Sequence, residues 1–184
     1  MSYTLSPCLI DLEKLCQAVG SRDESLITAV LGPEPNELKD AWETDEDAEV
    51  EGAFTPDTPL RHLVMGQPLI EEAGSEYGYA LMRLCEHLGE MIPPDLWCGV
   101  RWMAITDGGL EDLLTKTGSP VPIPERDFPA IGHWTAKEVA DKVAQLGDSH
   151  LTCDSDDLQE LLDEYEGWLR AAAAKGKAIV FFYY

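Results

Sequence analysis

Four dissimilar reactive groups lie within the stretch 119–134. Arg126, Asp127, His133 and Trp134 bring a guanidinium, a carboxylate, an imidazole and an indole close in sequence. Such a set could line a pocket, which would make the chain a small enzyme with its site beside a proline-rich loop. The same residues also allow a plainer arrangement. Arg126 and Asp127 can form a surface pair, and Trp134 can staple the helix that Thr135 opens. An enzyme needs at least two ionisable groups converging within hydrogen-bond reach in one cleft, and nothing in this spacing dictates that.

The remaining candidates carry less. His87 and Glu90 lie three residues apart on one predicted helix, within hydrogen-bonding reach. Cys85 would face another way, His62 stands by itself on a short helix, and His150 falls in a turn-like segment. A metal centre needs three or four converging ligands, so no metal and no cofactor are expected. The acids Asp45, Glu46 and Asp47 lack the alternation, central glycine and distal glutamate of a calcium loop. The chain contains no G-x-G-x-x-G, G-x-x-x-x-G-K-[ST] or G-x-S-x-G, the main phosphate-binding and serine-hydrolase signals. Five cysteines are widely spaced without a C-x-x-C, which reads as free thiols in a reducing compartment.

Charge says more than any motif. Thirty-five acids against 13 bases leave −22 over 184 residues. That surface repels nucleic-acid phosphate and anionic lipid and favours a basic protein as partner. Trp42, Trp97, Trp102 and Trp168 are therefore read as core or half-buried rather than as a base-stacking platform. Ten of the acids, against the single base Lys39, fall between Glu34 and Asp57. Within that tract Glu43, Asp45, Glu46, Asp47 and Glu49 are the candidate partner-binding residues, on a loop-like excursion of low apolar content. With no basic amino-terminal leader and no apolar run near the roughly 20 residues of a membrane span, a cytoplasmic location away from membranes is expected.

The elements that must position these groups follow from periodicity. The strongest is the carboxy-terminal pair. Leu158, Leu161, Leu162, Tyr165, Leu169 and Ala172 mark one helical face, Gly176 can stop the helix, and residues 178–184 form an uncharged run of β-formers. Both faces of that run are apolar, so it reads as an inner strand covered on both sides. Residues 3–10 read as another strand, with Pro7 arguing for an edge or bulge. Asp11 caps a helix through Leu15, and Ser21 with Glu24 forms a capping box for the next. Pro59 opens a short helix ending at Gly66. Residues 76–92 form a long helix with Tyr77, Ala80, Leu81, Leu84, Cys85 and Leu88 inward. Residues 97–105 read as a strand, and Asp107 as the cap of a helix. Four prolines make residues 119–133 a loop without regular pairing. Thr135 with Glu138 is a capping box for the helix bearing Val139, Ala140, Val143 and Leu146. The whole reads as one α+β domain over residues 1–184 with an acidic excursion around 34–57.

Several stretches resemble the YfbM-like family of small bacterial proteins. They are Pro59 to Gly66, Tyr77-Gly78-Tyr79-Ala80, the closing segment Tyr165 to Tyr183, and the first strand with Asp11-Leu12-Glu13-Lys14-Leu15. The resemblance covers about a third of the chain by order and pattern. It implies a mixed sheet that contains both terminal strands, with helices packed on it, and it implies no activity. The functional expectation is a non-enzymatic protein-binding domain, with immunity-type neutralisation of a basic partner as one concrete form. The small enzyme at 119–134 is the alternative.

Overall fold

The computed structural model describes residues 5–32, 57–92, 118–124, 129–152 and 156–183. Its centre is the strand β4 (Ala178–Tyr183), paired along its whole length with β1 (Leu5–Ile10), from Leu5 opposite Tyr183 to Ile10 opposite Ala178. β3 (Ala130–Trp134) lies on the other side of β4, and β2 (Glu90–Met91) on the other side of β1. The order is β2-β1-β4-β3. The α+β class and the placing of both terminal strands in one sheet are as the sequence predicts. All three pairings among the described residues are antiparallel, where a mixed sheet was expected.

Alternation along β4 makes two cores. Val180 and Phe182 enter one, together with Cys8 and Ile10 of β1. Ile179 and Phe181 enter the other, with Leu5 and Leu9. The first core is closed by α1 (Leu12–Ala18), α2 (Glu24–Leu31), α3 (Thr58–Met65) and α4 (Gly74–Leu88). The second is closed by α5 (Ala136–Leu146) and α6 (Asp156–Lys175). Three layers result, helices on both faces of one sheet, and the apolar run that would aggregate in isolation is covered. Leu162, Tyr165, Trp168, Leu169 and Ala172 of α6 are all buried on β4, with Tyr165, Trp168 and Phe181 forming an aromatic cluster.

Pro7 fits this sheet by its orientation. In an antiparallel ladder the N–H and C=O of one residue point to the same neighbour. The Pro7 carbonyl accepts from the Ile92 amide at 2.9 Å, so the missing donor faces the short β2 side and leaves the β4 ladder intact. No helix among the described residues is long and apolar enough to cross a membrane.

Three expectations need correction. The cap of α2 is Asp23 rather than Ser21: the Asp23 carboxylate accepts from the Ser25 amide at 2.9 Å and the Leu26 amide at 3.2 Å. An acid two residues closer to the orphan amides displaces the hydroxyl, which accepts from the Asp23 amide instead. The long helix stops at Leu88 and not Ile92, because Gly89 bends the chain against β1. A Cβ at Gly89 would lie 2.7 Å from both Cys8 Sγ and the Leu9 carbonyl oxygen, so only glycine passes there. The loop read across 119–133 ends early: β3 begins directly after Pro129 and pairs with β4 at the edge of the described sheet, a position where a preceding proline costs no ladder bond. The acidic tract 34–56, the strand read at 97–105 and the helix read after Asp107 lie outside the described residues.

The capping box on α5 is complete. Thr135 Oγ1 accepts from the Glu138 amide at 3.2 Å, and Glu138 Oε2 accepts from the Thr135 amide at 2.9 Å. Thr135→Ala is expected to cost about 0.5–2 kcal/mol in a chemical denaturation experiment. A change within about 0.2 kcal/mol would show that the helix start is held by packing alone.

Candidate functional site

Of the four proline-loop residues, His133 and Trp134 are described, and these two do not face one pocket. Arg126 and Asp127 lie outside the described residues, as do Glu43, Asp45, Glu46, Asp47 and Glu49. His133 and Trp134 are neighbours on β3 and therefore point to opposite faces. His133 is paired with Val180, on the face of the first core, and Trp134 with Ile179, on the face of the second. Each is already engaged. His133 Nδ1 donates to the Gly118 carbonyl at 2.9 Å, while the Gly118 amide donates to the Ile131 carbonyl at 2.9 Å, fastening the 118–121 segment along β3. Trp134 hydrogen-bonds Tyr165, and since an indole nitrogen only donates, the hydroxyl oxygen accepts. Burial pushes the Tyr165 phenol well above its ordinary value, which that bond only partly offsets. Lys142 Nζ sits 3.9 Å from the Trp134 ring centre, a cation–π contact across α5. Burial pulls the Lys142 ammonium below its ordinary pKa, against the opposing Glu138 charge.

Ionisable groups do converge elsewhere, where α6 meets the segment after α5. Glu166 is 4% exposed, an acid inside the apolar stripe of α6. Its Oε1 accepts from Arg170 Nε at 2.8 Å and lies 2.7 Å from Arg170 Nη2. His150 Nδ1 lies 3.1 Å from the same oxygen, and the Leu151 amide donates to Oε2 at 3.2 Å. Arg170 Nη2 also donates to the Gly147 and Ser149 carbonyls, at 3.1 and 3.3 Å. Two turns before Glu166, Gln159 donates to the Leu151 carbonyl at 2.7 Å. His150, Asp163, Glu166, Gly167 and Arg170 edge an open hollow of about 480 Å³.

Chemistry at this cluster is constrained by its own bonds. Glu166 fixes one nitrogen of an exposed imidazole, so the other faces solvent, as in a carboxylate–histidine pair. The carboxylate, however, is spent on a guanidinium and a backbone amide. Burial alone would raise its pKa; the Arg170 bond, the Leu151 amide and the nearby His150 outweigh that and hold it below the ordinary 4.5. A carboxylate so neutralised has little capacity to take up a developing imidazolium charge, and no hydroxyl or thiol nucleophile lies among the residues lining the hollow. The arrangement is a clamp that holds residues 147–151 on α6.

Sequence reasoning missed this cluster. Two signals were present: Glu166 and Arg170 stand at i, i+4 in the favourable order, and Glu166 falls between Leu162 and Leu169 on the buried stripe.

The pH dependence follows from the lowered Glu166 pKa. A carboxyl whose folded pKa lies below its unfolded value stabilises the fold above the unfolded pKa and loses that contribution as pH falls through the folded one. Glu166→Gln is expected to cost about 1–3 kcal/mol at neutral pH, with the gap to the parent chain closing below pH 4.5. A gap that stays constant in acid would show that the charge is not what Arg170 requires.

Two further polar pairs are structural. Tyr77, fully buried, has its hydroxyl 2.7 Å from His62 Nδ1 and accepts from the Ile70 amide at 3.1 Å, pinning 67–70 to α4. Glu90, expected near His87, instead pairs with Lys175 at the end of α6. Among the described residues no three His, Cys, Asp or Glu side chains converge to hold a metal ion.

Residues 1–184 match the family described as Domain of unknown function (DUF7691), and the chain belongs to that family. No curated protein and no solved structure matches it.

Proposed function

We propose that this chain is a non-enzymatic, cytoplasmic protein-binding domain whose acidic surface meets a basic partner, immunity-type neutralisation being one concrete form. The observation that carries the reading is the charge of −22, with a net −9 falling in residues 34–57 alone. Support comes from how the described ionisable groups are used: Glu166, Arg170 and His133 each fasten a backbone segment, and His150 bonds Glu166. We propose as well a likeness to the YfbM-like family, resting on the first strand with residues 11–15 and on residues 59–66, 77–80 and 165–183.

A concentrated acidic field raises the association rate of a cationic protein and fades as salt screens it, over about 8 Å at physiological ionic strength. The test replaces Glu43, Asp45, Glu46, Asp47 and Glu49 together by Ser or Asn. Association with a co-purified basic protein is then followed at low and moderate salt. A slower on-rate with a weaker salt dependence is expected. Identical kinetics at both salts would remove the tract from the binding surface.

A further inference from the structure

We propose that Cys8 and Cys85 form a dithiol oxidation site, in which a hydroperoxide couples the two side chains into a disulfide that ties β1 to α4. The residues are 77 positions apart in sequence, and the fold brings them together in the first core. Cys8 Sγ donates to the Cys85 carbonyl oxygen at 3.3 Å. Both cysteines are fully buried free thiols. Room for the pair is kept by Gly89. A side chain there would stand 2.7 Å from Cys8 Sγ and 3.0 Å from the Cys85 carbonyl oxygen. The Cys85 carbonyl already accepts the Gly89 amide at 2.8 Å, so the chain turns directly over the pair before β2 begins.

The two thiols are unequal. The bond to Cys85 lowers the Cys8 thiol pKa despite its burial. The bond to Cys8 raises Cys85, and burial raises it further; Glu86 also opposes ionisation of both. Cys8, which pairs with Met91 of β2 and so lies at the edge that opens, is the attacking sulfur, and Cys85 on α4 the resolving one. In the first step the Cys8 thiolate attacks one peroxide oxygen, the O–O bond breaks, and after protonation a sulfenic acid and one water result. In the second, Cys85 sulfur attacks the Cys8 sulfur, the S–O bond breaks, and the Cys85 proton leaves with the hydroxide as a second water. Two electrons pass from sulfur to oxygen. The peroxide reaches the pair when the two-residue strand β2 opens, the least-paired edge of the described sheet.

The experiment uses the full chain carrying C16S, C98S and C153S, so that only one intramolecular disulfide is available. The folded protein is treated with hydrogen peroxide, quenched, denatured and alkylated with iodoacetamide, and its intact mass is read. The expected result is a monomer lacking two hydrogens and taking up no alkyl group, with both thiols recovered after dithiothreitol. Two alkyl groups added, under conditions that oxidise the exposed Cys16 of the parent chain, would overturn the proposal. So would a stable sulfinic acid on Cys8 with Cys85 still reduced. If the triple variant does not fold, peptide mapping of the oxidised parent chain replaces it: a Cys8–Cys85 linked peptide supports the site, and its absence overturns it.

Discussion

A chain ending at Gly176 is expected to lose cooperative folding. It lacks β4, the strand that bonds to both β1 and β3. It also loses Ile179, Val180, Phe181 and Phe182, all at most 2% exposed. Burial of each such side chain contributes about 1.5–3 kcal/mol. The four together are comparable with the roughly 5–15 kcal/mol that separates a folded domain from its unfolded chain. The uncovered β1 would add an unpaired apolar edge to the loss. Circular dichroism of the truncated protein should show no sigmoidal thermal transition. A melt like that of the full chain would mean that β4 is not the strand on which the sheet depends.

The second large effect separates the two cores. Leu84 on α4 is fully buried in the first core, and Leu162 on α6 is 2% exposed in the second. Leu84→Ala and Leu162→Ala are each expected to cost about 2–5 kcal/mol, the transfer term plus the cavity left behind. Because the sheet stands between them and they share no partner, the double variant should equal the sum within about 0.5 kcal/mol. Chemical denaturation of the three variants reads this directly. A single loss below about 0.5 kcal/mol would place that helix face in solvent, and strong coupling would mean that the two cores communicate through the sheet.

What the sequence made legible was the periodic part. Helix α6 and strand β4 announce themselves because Leu161 to Ala172 repeats at the helical step and the residues from Ala178 onward carry no charge, so period and composition agree. The two-sided burial of β4 followed from the same run. β3 was not legible because Pro120, Pro122, Pro124 and Pro129 dominate its approach, and five residues with a glycine in the middle give little strand signal. What places Ala130–Trp134 in the sheet is a long-range partner, β4. The end of α4 was hidden for a related reason: Gly89 answers to Cys8 and Leu9, contacts about 80 positions away that no local pattern contains.

The candidate site was legible only in part. Conspicuous residue types drew the reading to the proline loop, yet alternation along β3 sends His133 and Trp134 to opposite faces. The acid that the fold buries, Glu166, reads in sequence as one more charge on an acidic helix. Only burial distinguishes it from Glu160 or Asp163, which stay exposed. The Cys8–Cys85 pair was unreadable for the same reason as Gly89, because spacing along the chain carries no information on a contact between β1 and α4.

The central claim is that β4 is an inner strand with a helical layer on each face, and native-state hydrogen exchange tests it most directly. Amides buried in paired inner strands exchange only through global opening, whereas edge strands and clamped loops open locally. The amides of Ile179–Phe182 are expected to be among the slowest in the chain, with exchange free energies matching global unfolding, and those of Glu90–Met91 and residues 147–152 to exchange far sooner. If the β4 amides exchanged as fast as those of residues 147–152, the strand would not be the covered centre of this fold.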